Sequence, residues 1–438
     1  MTTPKKPPSM SRREAVLSGA ALLAGGAALL SGRDARAQPA APAKPTAPAR
    51  PAPAGAYTPV ETPGLSTLPF SMEDGVKVYR LVAEPVKREF APGMVVNCWG
   101  YNGLCPGPTI EAFEGDRVRF LVTNKLPERT SVHWHGVLLP NGMDGVAGLN
   151  QRHILPGETY VYEFTLRQSG TQMYHPHSDE MVQMAMGMMD FFIIHPKKPE
   201  RPRVDRDFAI FLQEWFVAPG TATPNPMVML DFNTFTFNGR AYPGTPPLVA
   251  RTGQRVRVRL ANLSMDSHPI HIHGLNFQIT GTDGGKIPPG ARWPETTVNV
   301  PPGTTRDIEF VAGAPGDWAM HCHKSHHTMN AMGHDVPNMI GVDQKAVERR
   351  IRALLPGYMA MGDTGMGGMM DMGRPRNTLP MMAGQAKYGD IEMGGMFTIL
   401  KVRDDITTYE DPGWYEAPPG TIAYKLDNAA PDPTKKTP

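Results

Sequence analysis

From Tyr57 onward the chain alternates apolar and polar positions in short runs, each bounded by glycine or proline. Val118, Phe120 and Val122 alternate with Arg117, Arg119 and Leu121, while Val256, Val258 and Leu260 alternate with arginines. Successive strand residues point to opposite faces, so this period of two predicts half-buried strands. No sustained helical period precedes residue 344. Short strands between Gly/Pro turns predict an all-β sandwich or barrel. The period changes at 344–355, where Ala346, Val347, Ile351, Leu354 and Leu355 predict a short amphipathic helix. A Met- and Gly-rich stretch, 356–396, then precedes a last predicted strand from Phe397 to Val402.

The alternating pattern occurs twice. Gly115-Asp116-Arg117-Val118-Arg119 matches Gly253-Gln254-Arg255-Val256-Arg257, and His133 and His135 recur at the same offset as His271 and His273. At a slightly larger offset Pro156-Gly157 recurs as Pro302-Gly303, and His175 and His177 recur as His321 and His323. The second copy therefore carries an insertion between its paired motifs. Two copies of one β domain follow, 57–196 and 204–404, the second including an insertion over 344–396, with a tail at 405–438.

Composition adds a compartment. Residues 1–37 hold Lys5, Lys6, Arg12, Arg13, Arg33 and Arg36 against Glu14 and Asp34. The whole chain has a formal charge of +2, so the remainder is slightly acidic and gives no electrostatic case for a nucleic-acid partner. Arg12-Arg13 precedes a weakly apolar Ala/Gly run, and Ala35-Arg36-Ala37 offers small residues for cleavage. This pattern resembles a twin-arginine export signal, which implies a periplasmic or secreted protein. The run is short and glycine-broken, and no other stretch predicts stable membrane insertion. Residues 38–56 are Pro/Ala-rich and read as a linker. An oxidising compartment permits a disulfide between Cys98 and Cys105, with free thiols as the alternative.

Ten of the fourteen histidines form four clusters: His133 and His135; His175 and His177; His268, His271 and His273; and His321 and His323 with His327. On a strand each H-x-H pair offers two imidazoles to one side. Four pairs exceed the needs of one zinc site, which closes with four ligands. Cys322 should point away from His321 and His323, where it can join His268, His327 and Met332. Two His, one Cys and a weak axial Met make a blue-copper set. Met393 and Met396, just before the last strand, are alternative axial residues. The first-copy positions matching His268, Cys322 and His327 are Thr130, Pro176 and Met181, so only the second copy can hold this set. His153, His195, His326 and His334 are left as surface or satisfied histidines.

The motifs HWHG, YHPH, HPIHIHG and HCHKSHHTMNAM, in that order, resemble those of the multicopper oxidases, as does the segment around Asn102-Gly103 and Pro106-Gly107-Pro108-Thr109-Ile110. The resemblance covers nearly all of 57–404 and implies two cupredoxin-like Greek-key β-sandwich domains. It implies type 1 copper on His268, Cys322, His327 and Met332, and type 2 copper on His133 and His271. One type 3 copper would take His135, His175 and His323, and the other His177, His273 and His321. Asp144 matches an acidic residue that the family places near the cluster, although a turn Asp before Gly145 explains it equally well. The family oxidises a reducing substrate, here phenolic or Cu(I), and reduces dioxygen to water. His177 and His268 are too close in sequence for a third domain between them, so the chain resembles the two-domain branch, which implies a homotrimer with each cluster shared between subunits. A copper nitrite reductase would carry type 1 copper in the first domain and lack the paired type 3 histidines. A non-catalytic periplasmic copper-binding relative would tend to have lost ligands.

Overall fold

The computed structural model describes residues 57–330, 349–350, 353–354, 377–379 and 384–425. The predicted export signal 1–37, the linker 38–56, Met332, His334 and most of the Met-rich stretch lie outside these residues. The described chain is nearly all β, as its alternation predicts.

In the first half, the strands Phe70–Glu73, Val76–Ala91, Arg117–Asn124 and Thr159–Thr165 lie side by side, and Met94–Tyr101 pairs with Val76–Ala91. A smaller sheet runs Ile110–Phe113, Asp190–His195, Gly170–Tyr174. Their inner faces meet in a core that includes Leu81, Val118, Phe120, Val122, Trp134 and Phe192. The Trp134 ring stacks on Phe120 at 4.1 Å between centroids, so the residue between His133 and His135 anchors both to the core.

The second half repeats this plan. One sheet of eight strands is built on Arg206–Trp215, Arg255–Asn262 and Thr304–Val311. The facing sheet has the order Leu248–Arg251, Phe397–Arg403, Gly316–Cys322, His268–Ile272, Thr297–Val300. Val256, Val258, Leu260, Ile270, Ile308 and Leu400 pack between them. Equivalent pairings recur: Val76–Ala91 runs parallel to Arg117–Asn124, as Arg206–Trp215 does to Arg255–Asn262. Phe397–Arg403, the predicted last strand, pairs in parallel with Leu248–Arg251, as Asp190–His195 does with Ile110–Phe113. One short strand, Val60–Glu61, pairs with Asp207 and Phe208 and so joins the large sheet of the second half.

Three local features were not legible in the alternation. Two arginines of Arg255–Asn262, Arg257 and Arg259, are buried, not solvated. Arg259 makes a two-pronged contact with Asp207, with both N···O distances at 2.8 Å, and donates to Thr171 Oγ1 at 2.6 Å. Arg257 bonds Glu309 at 2.7 Å. Thr171 lies on a strand of the first half, and its Oγ1 also donates to Asp307 at 2.7 Å. This charged network therefore ties the halves together. Gly170 sits beside it at φ 139°, where a Cβ would lie 1.8 Å from the Gly284 carbonyl oxygen, so only glycine fits. Second, Cys98 and Cys105 are free and buried, with the two thiols in hydrogen-bond contact rather than bridged. Third, a six-residue helix, Glu180–Ala185, follows the second histidine pair; it is too short to leave a period in the sequence. The described residues of 344–355, namely 349–350 and 353–354, are helical as predicted. Among the described residues no helix is long and apolar enough to cross a membrane.

Replacing Arg259 by Leu would strand Asp207 and leave it buried without its main partner. The expected cost is about 3–5 kcal/mol, read as a lower midpoint in chemical denaturation; an unchanged midpoint would show that the network contributes nothing net.

Candidate metal centre

Strand alternation positions the chemistry. In the antiparallel pair of His268–Ile272 and Gly316–Cys322, Ile270 faces Cys322 and His271 faces His321. Neighbouring residues point oppositely, so Cys322 enters the core while His321 turns to the other side. The first half reproduces this at an isolated bridge between His133 and His175. Their backbones exchange two hydrogen bonds, at 2.7 and 3.2 Å.

On the core side three donor atoms converge. His268 Nδ1 and His327 Nδ1 lie 3.1 Å apart, and Cys322 Sγ lies 3.8 and 3.5 Å from them. All three residues are fully buried. Phe235 stacks on His327 at 4.2 Å. The backbone fixes the loop: the Cys322 N–H donates to the Met396 carbonyl, and the Met396 N–H donates to the His327 carbonyl, both at 3.0 Å. Met396 is itself fully buried in the core that holds Cys322, and Met393 is half-buried. At the matching place in the first half a neutral pair fills the space, with Thr130 Oγ1 donating to the buried Gln183 Oε1 at 2.6 Å.

The other eight imidazoles form two sets. In the first, the His133 ring lies 5.8, 5.3 and 5.5 Å from those of His135, His175 and His177. In the second, the His271 ring lies 4.9, 5.7 and 5.4 Å from those of His273, His321 and His323. Four rings are keyed by carbonyls, which can only accept: Nδ1–H of His133 donates to Asp144 O, of His175 to Pro176 O, of His271 to Thr296 O and of His321 to Cys322 O, at 2.7–2.9 Å. Nε2 of each is thereby left with a free lone pair. Those lone pairs already crowd other nitrogens, His135 Nδ1 on His175 Nε2 at 3.2 Å and His273 Nε2 on His321 Nε2 at 3.1 Å. Neutral imidazoles facing nitrogen to nitrogen suit a cation between them. His273 and His323 are exposed and His135 and His177 half-exposed, so each set opens on one side. Among the described residues no ring contact or hydrogen bond joins the two sets.

The electrostatics favour metal-ready ligands. Burial, reinforced by neighbouring imidazoles, holds His175 down to about 3. Burial likewise holds His268 near 3 and His327 near 2. Desolvation pushes the Cys322 thiol up to about 12, so it would lose its proton only to a metal.

Sequence reasoning found only one of the acids around these ligands. Asp144, singled out in the sequence, does stand beside His133, Oδ1 to Nδ1 at 3.6 Å. Glu180 lies 3.7 Å from His175 Nδ1 and 3.6 Å from His177 Nε2. Glu214 Oε1 lies 3.3 Å from His268 Nε2, and Asp266 Oδ2 lies 3.5 Å from His327 Nε2. Asp266 is two residues before His268, a weak signal; Glu214 is on a distant strand and gives none. Of the histidines left over, His195 is buried against Glu111 at 2.7 Å and His153 holds Ser178 Oγ at 2.7 Å.

Two domain models described as multicopper oxidase match residues 83–199 and 219–341, together more than half of the chain. Copper resistance protein A of Escherichia coli is 31% identical over 43% of this chain and 39% of its own length. The protein of the same name in Pseudomonas syringae pv. tomato is 43% identical over 26% of this chain and 18% of its own. The chain thus spans well under half the length of these curated relatives. The crystal structure of blue copper oxidase from Nitrosomonas europaea superposes with a TM-score of 0.57 at 25% identity, over 77% of this chain and 90% of that one.

The depressed histidines predict a pH dependence for the metal-free protein. Below 6.5 the unfolded chain takes up protons that folded His175, His268 and His327 refuse. Their contribution to stability is complete above that pH and declines as pH drops towards 3. The thermal midpoint should fall over this window, less steeply in His268→Gln; identical slopes in both proteins would contradict the assignment.

Proposed function

Because this chain belongs to the multicopper oxidase family, we propose that it oxidises a small reductant, phenolic or Cu(I), at a type 1 copper and passes the electrons to a three-copper cluster that reduces dioxygen. The observation that carries this reading is the convergence of His268 Nδ1, His327 Nδ1 and Cys322 Sγ on one buried point. That donor set fits copper: two imidazoles and one thiolate match a blue-copper site in softness and number. Met332 is its proposed axial residue. His133 and His271 would hold the type 2 ion, His135, His175 and His323 one type 3 ion, and His177, His273 and His321 the other. Copper in these positions supplies one-electron redox chemistry at the first site and four-electron reduction of dioxygen to two waters at the cluster.

The chain's own residues do the rest. Cys322 is bonded through backbone to His321 and His323, and the Cys322 carbonyl accepts the His321 Nδ1–H at 2.9 Å. A covalent path and a hydrogen-bonded path thus join the buried thiolate to imidazoles on the opposite face. Asp144, through its carbonyl and its carboxylate, orients His133 towards the proposed cluster. Burial of the His268–Cys322–His327 set excludes water from it.

The two sets of four imidazoles are each half of a cluster. Their open sides favour assembly as a homotrimer in which the first half of one subunit completes the second half of the next. The twin-arginine segment favours export to the periplasm after folding. The names of the copper resistance relatives agree with a reductant that is Cu(I).

Cys322→Ser should abolish the blue absorption of the copper-loaded protein and its oxygen uptake with either reductant; a variant that stays blue and active would overturn the type 1 assignment. Sedimentation of the copper-loaded protein should show a trimer. A monomer with a full copper complement and oxidase activity would refute the shared cluster.

A further inference from the structure

The core-side donor set hangs on a backbone segment that arrives from across an insertion. Met396 links two of its members: the Met396 N–H donates to the His327 carbonyl and the Met396 carbonyl accepts the Cys322 N–H, both at 3.0 Å. The chain leaves this place at Asn330, shortly after His327, and is back beside it at Gly394. Thr328 O accepts the Gly394 N–H at 2.6 Å, so the two ends of the intervening stretch are tied together at the site. The turn that carries His327, Ser325–Thr328, is a 3₁₀ helix of only four residues and supplies little rigidity of its own.

One side chain grips this tie. Asn330 is 2% exposed. Its Oδ1 accepts the Gly395 N–H at 2.8 Å and its Nδ2 donates to the Tyr242 carbonyl at 3.3 Å. The Tyr242 N–H in turn donates to the Gly395 carbonyl at 3.0 Å. Asn330, Gly395 and Tyr242 thus close a ring of three hydrogen bonds next to Met396. One partner of the carboxamide is a backbone donor and the other a backbone acceptor, so only an amide serves both. Two glycines make room for it. A Cβ on Gly394 would lie 2.4 Å from Asn330 Nδ2, and one on Gly395, at φ 56°, would lie 2.4 Å from the His327 carbonyl oxygen. The first half, which lacks the thiolate, lacks the amide too. There Ala185-Met186 matches Ala331-Met332, and the residue matching Asn330 is Met184, which can make neither bond.

We propose that Asn330 is a positioning residue for the type 1 site: by fixing Gly395 against Tyr242 it fixes Met396, and through Met396 the separation of the His327 imidazole from the Cys322 thiol. This rests on the type 1 reading of His268, Cys322 and His327. The connection runs through backbone. Asn330 pins the Gly395 N–H, Gly395 is bonded to Met396, and Met396 holds both ligand residues. Met332, the proposed axial residue, follows Asn330 by two positions, so the same clasp fixes where that segment starts. Supporting hydrogen bonds of this kind hold ligands at one geometry and thereby tune what they bind. Without the amide, the Gly395 N–H and the Tyr242 carbonyl would each lose a buried partner, and the segment that links the ligands would be free to shift.

The test compares Asn330→Leu, which removes both bonds, with Asn330→Asp, which keeps the acceptor for Gly395 and loses the donor to Tyr242. In the full copper-loaded chain, Asn330→Leu should weaken the blue absorption, widen the parallel copper hyperfine splitting in the EPR spectrum, and give up type 1 copper to a chelator about ten-fold more readily. Asn330→Asp should fall between it and the wild type. The kcat for oxygen uptake should drop with a phenol and with Cu(I) alike, with KM little changed. Hydrogen exchange in the metal-free protein supplies a readout that needs no copper: the amides of 394–396 should lose protection in Asn330→Leu. Asn124→Leu removes a buried amide that ties a loop of the first half and separates stability from positioning: its denaturation midpoint should fall while its type 1 spectrum stays that of the wild type. Folded Asn330 variants that keep the wild-type spectrum and copper retention, or the same spectral change in Asn124→Leu, would overturn the proposal. A wild type that takes up copper without turning blue, while protection of its 394–396 amides still depends on Asn330, would sink the type 1 reading and leave the clasp standing.

Discussion

A β-strand sends neighbouring side chains to opposite faces, and His321-Cys322-His323 puts that constraint to chemical use. The thiol enters the core beside His268 and His327, with Sγ 3.5–3.8 Å from their nitrogens. The flanking imidazoles leave on the other face to join His271 and His273. No loop has to bring the two centres near each other, because the backbone of one residue already does. The pairing of His271 with His321 and of Ile270 with Cys322 fixes the register, and slipping it by one residue would exchange the faces. The sandwich core, with Ile270, Met320 and Cys322 all buried, is what makes such a slip costly.

The same plan occurs in the first half without its thiolate. Thr130 and Gln183 close the corresponding space with a neutral hydrogen bond, while the outward histidines are kept and keyed by carbonyls in the same way. Duplication thus supplied two matching faces, and one of them lost or never gained the core-side site. Two open faces and one buried site are what an assembly needs if its cluster is built between copies. The buried charged network around Arg259, Asp207 and Thr171 holds the two halves of a chain in a fixed relation, so the open faces are presented at a set angle rather than by a hinge.

Much of this was legible in the sequence, for a physical reason. Alternation at Val118, Phe120 and Val122 and the repeated H-x-H pairs are local signals, and a period of two translates directly into faces. The repeat then predicted that Thr130, Pro176 and Met181 replace the ligands in the first half, and the Thr130–Gln183 pair shows what fills the gap. What stayed hidden was set by tertiary contact. Glu214 comes from a distant strand, and Glu180 from a helix too short to announce itself. The burial of Arg257 and Arg259 depends on carboxylates elsewhere in the chain. Cys98 and Cys105 are close in sequence and in space, and both stand as buried free thiols.

The central claim is one buried donor set per chain, wired to a cluster completed by a neighbouring chain. Anomalous diffraction at the copper edge from crystals of the loaded protein tests it most directly. The account predicts one isolated peak among His268, Cys322 and His327, and a group of three peaks where imidazoles of two different chains meet. A copper peak absent from the Cys322 position, or a three-copper group enclosed by the histidines of a single chain, would contradict it.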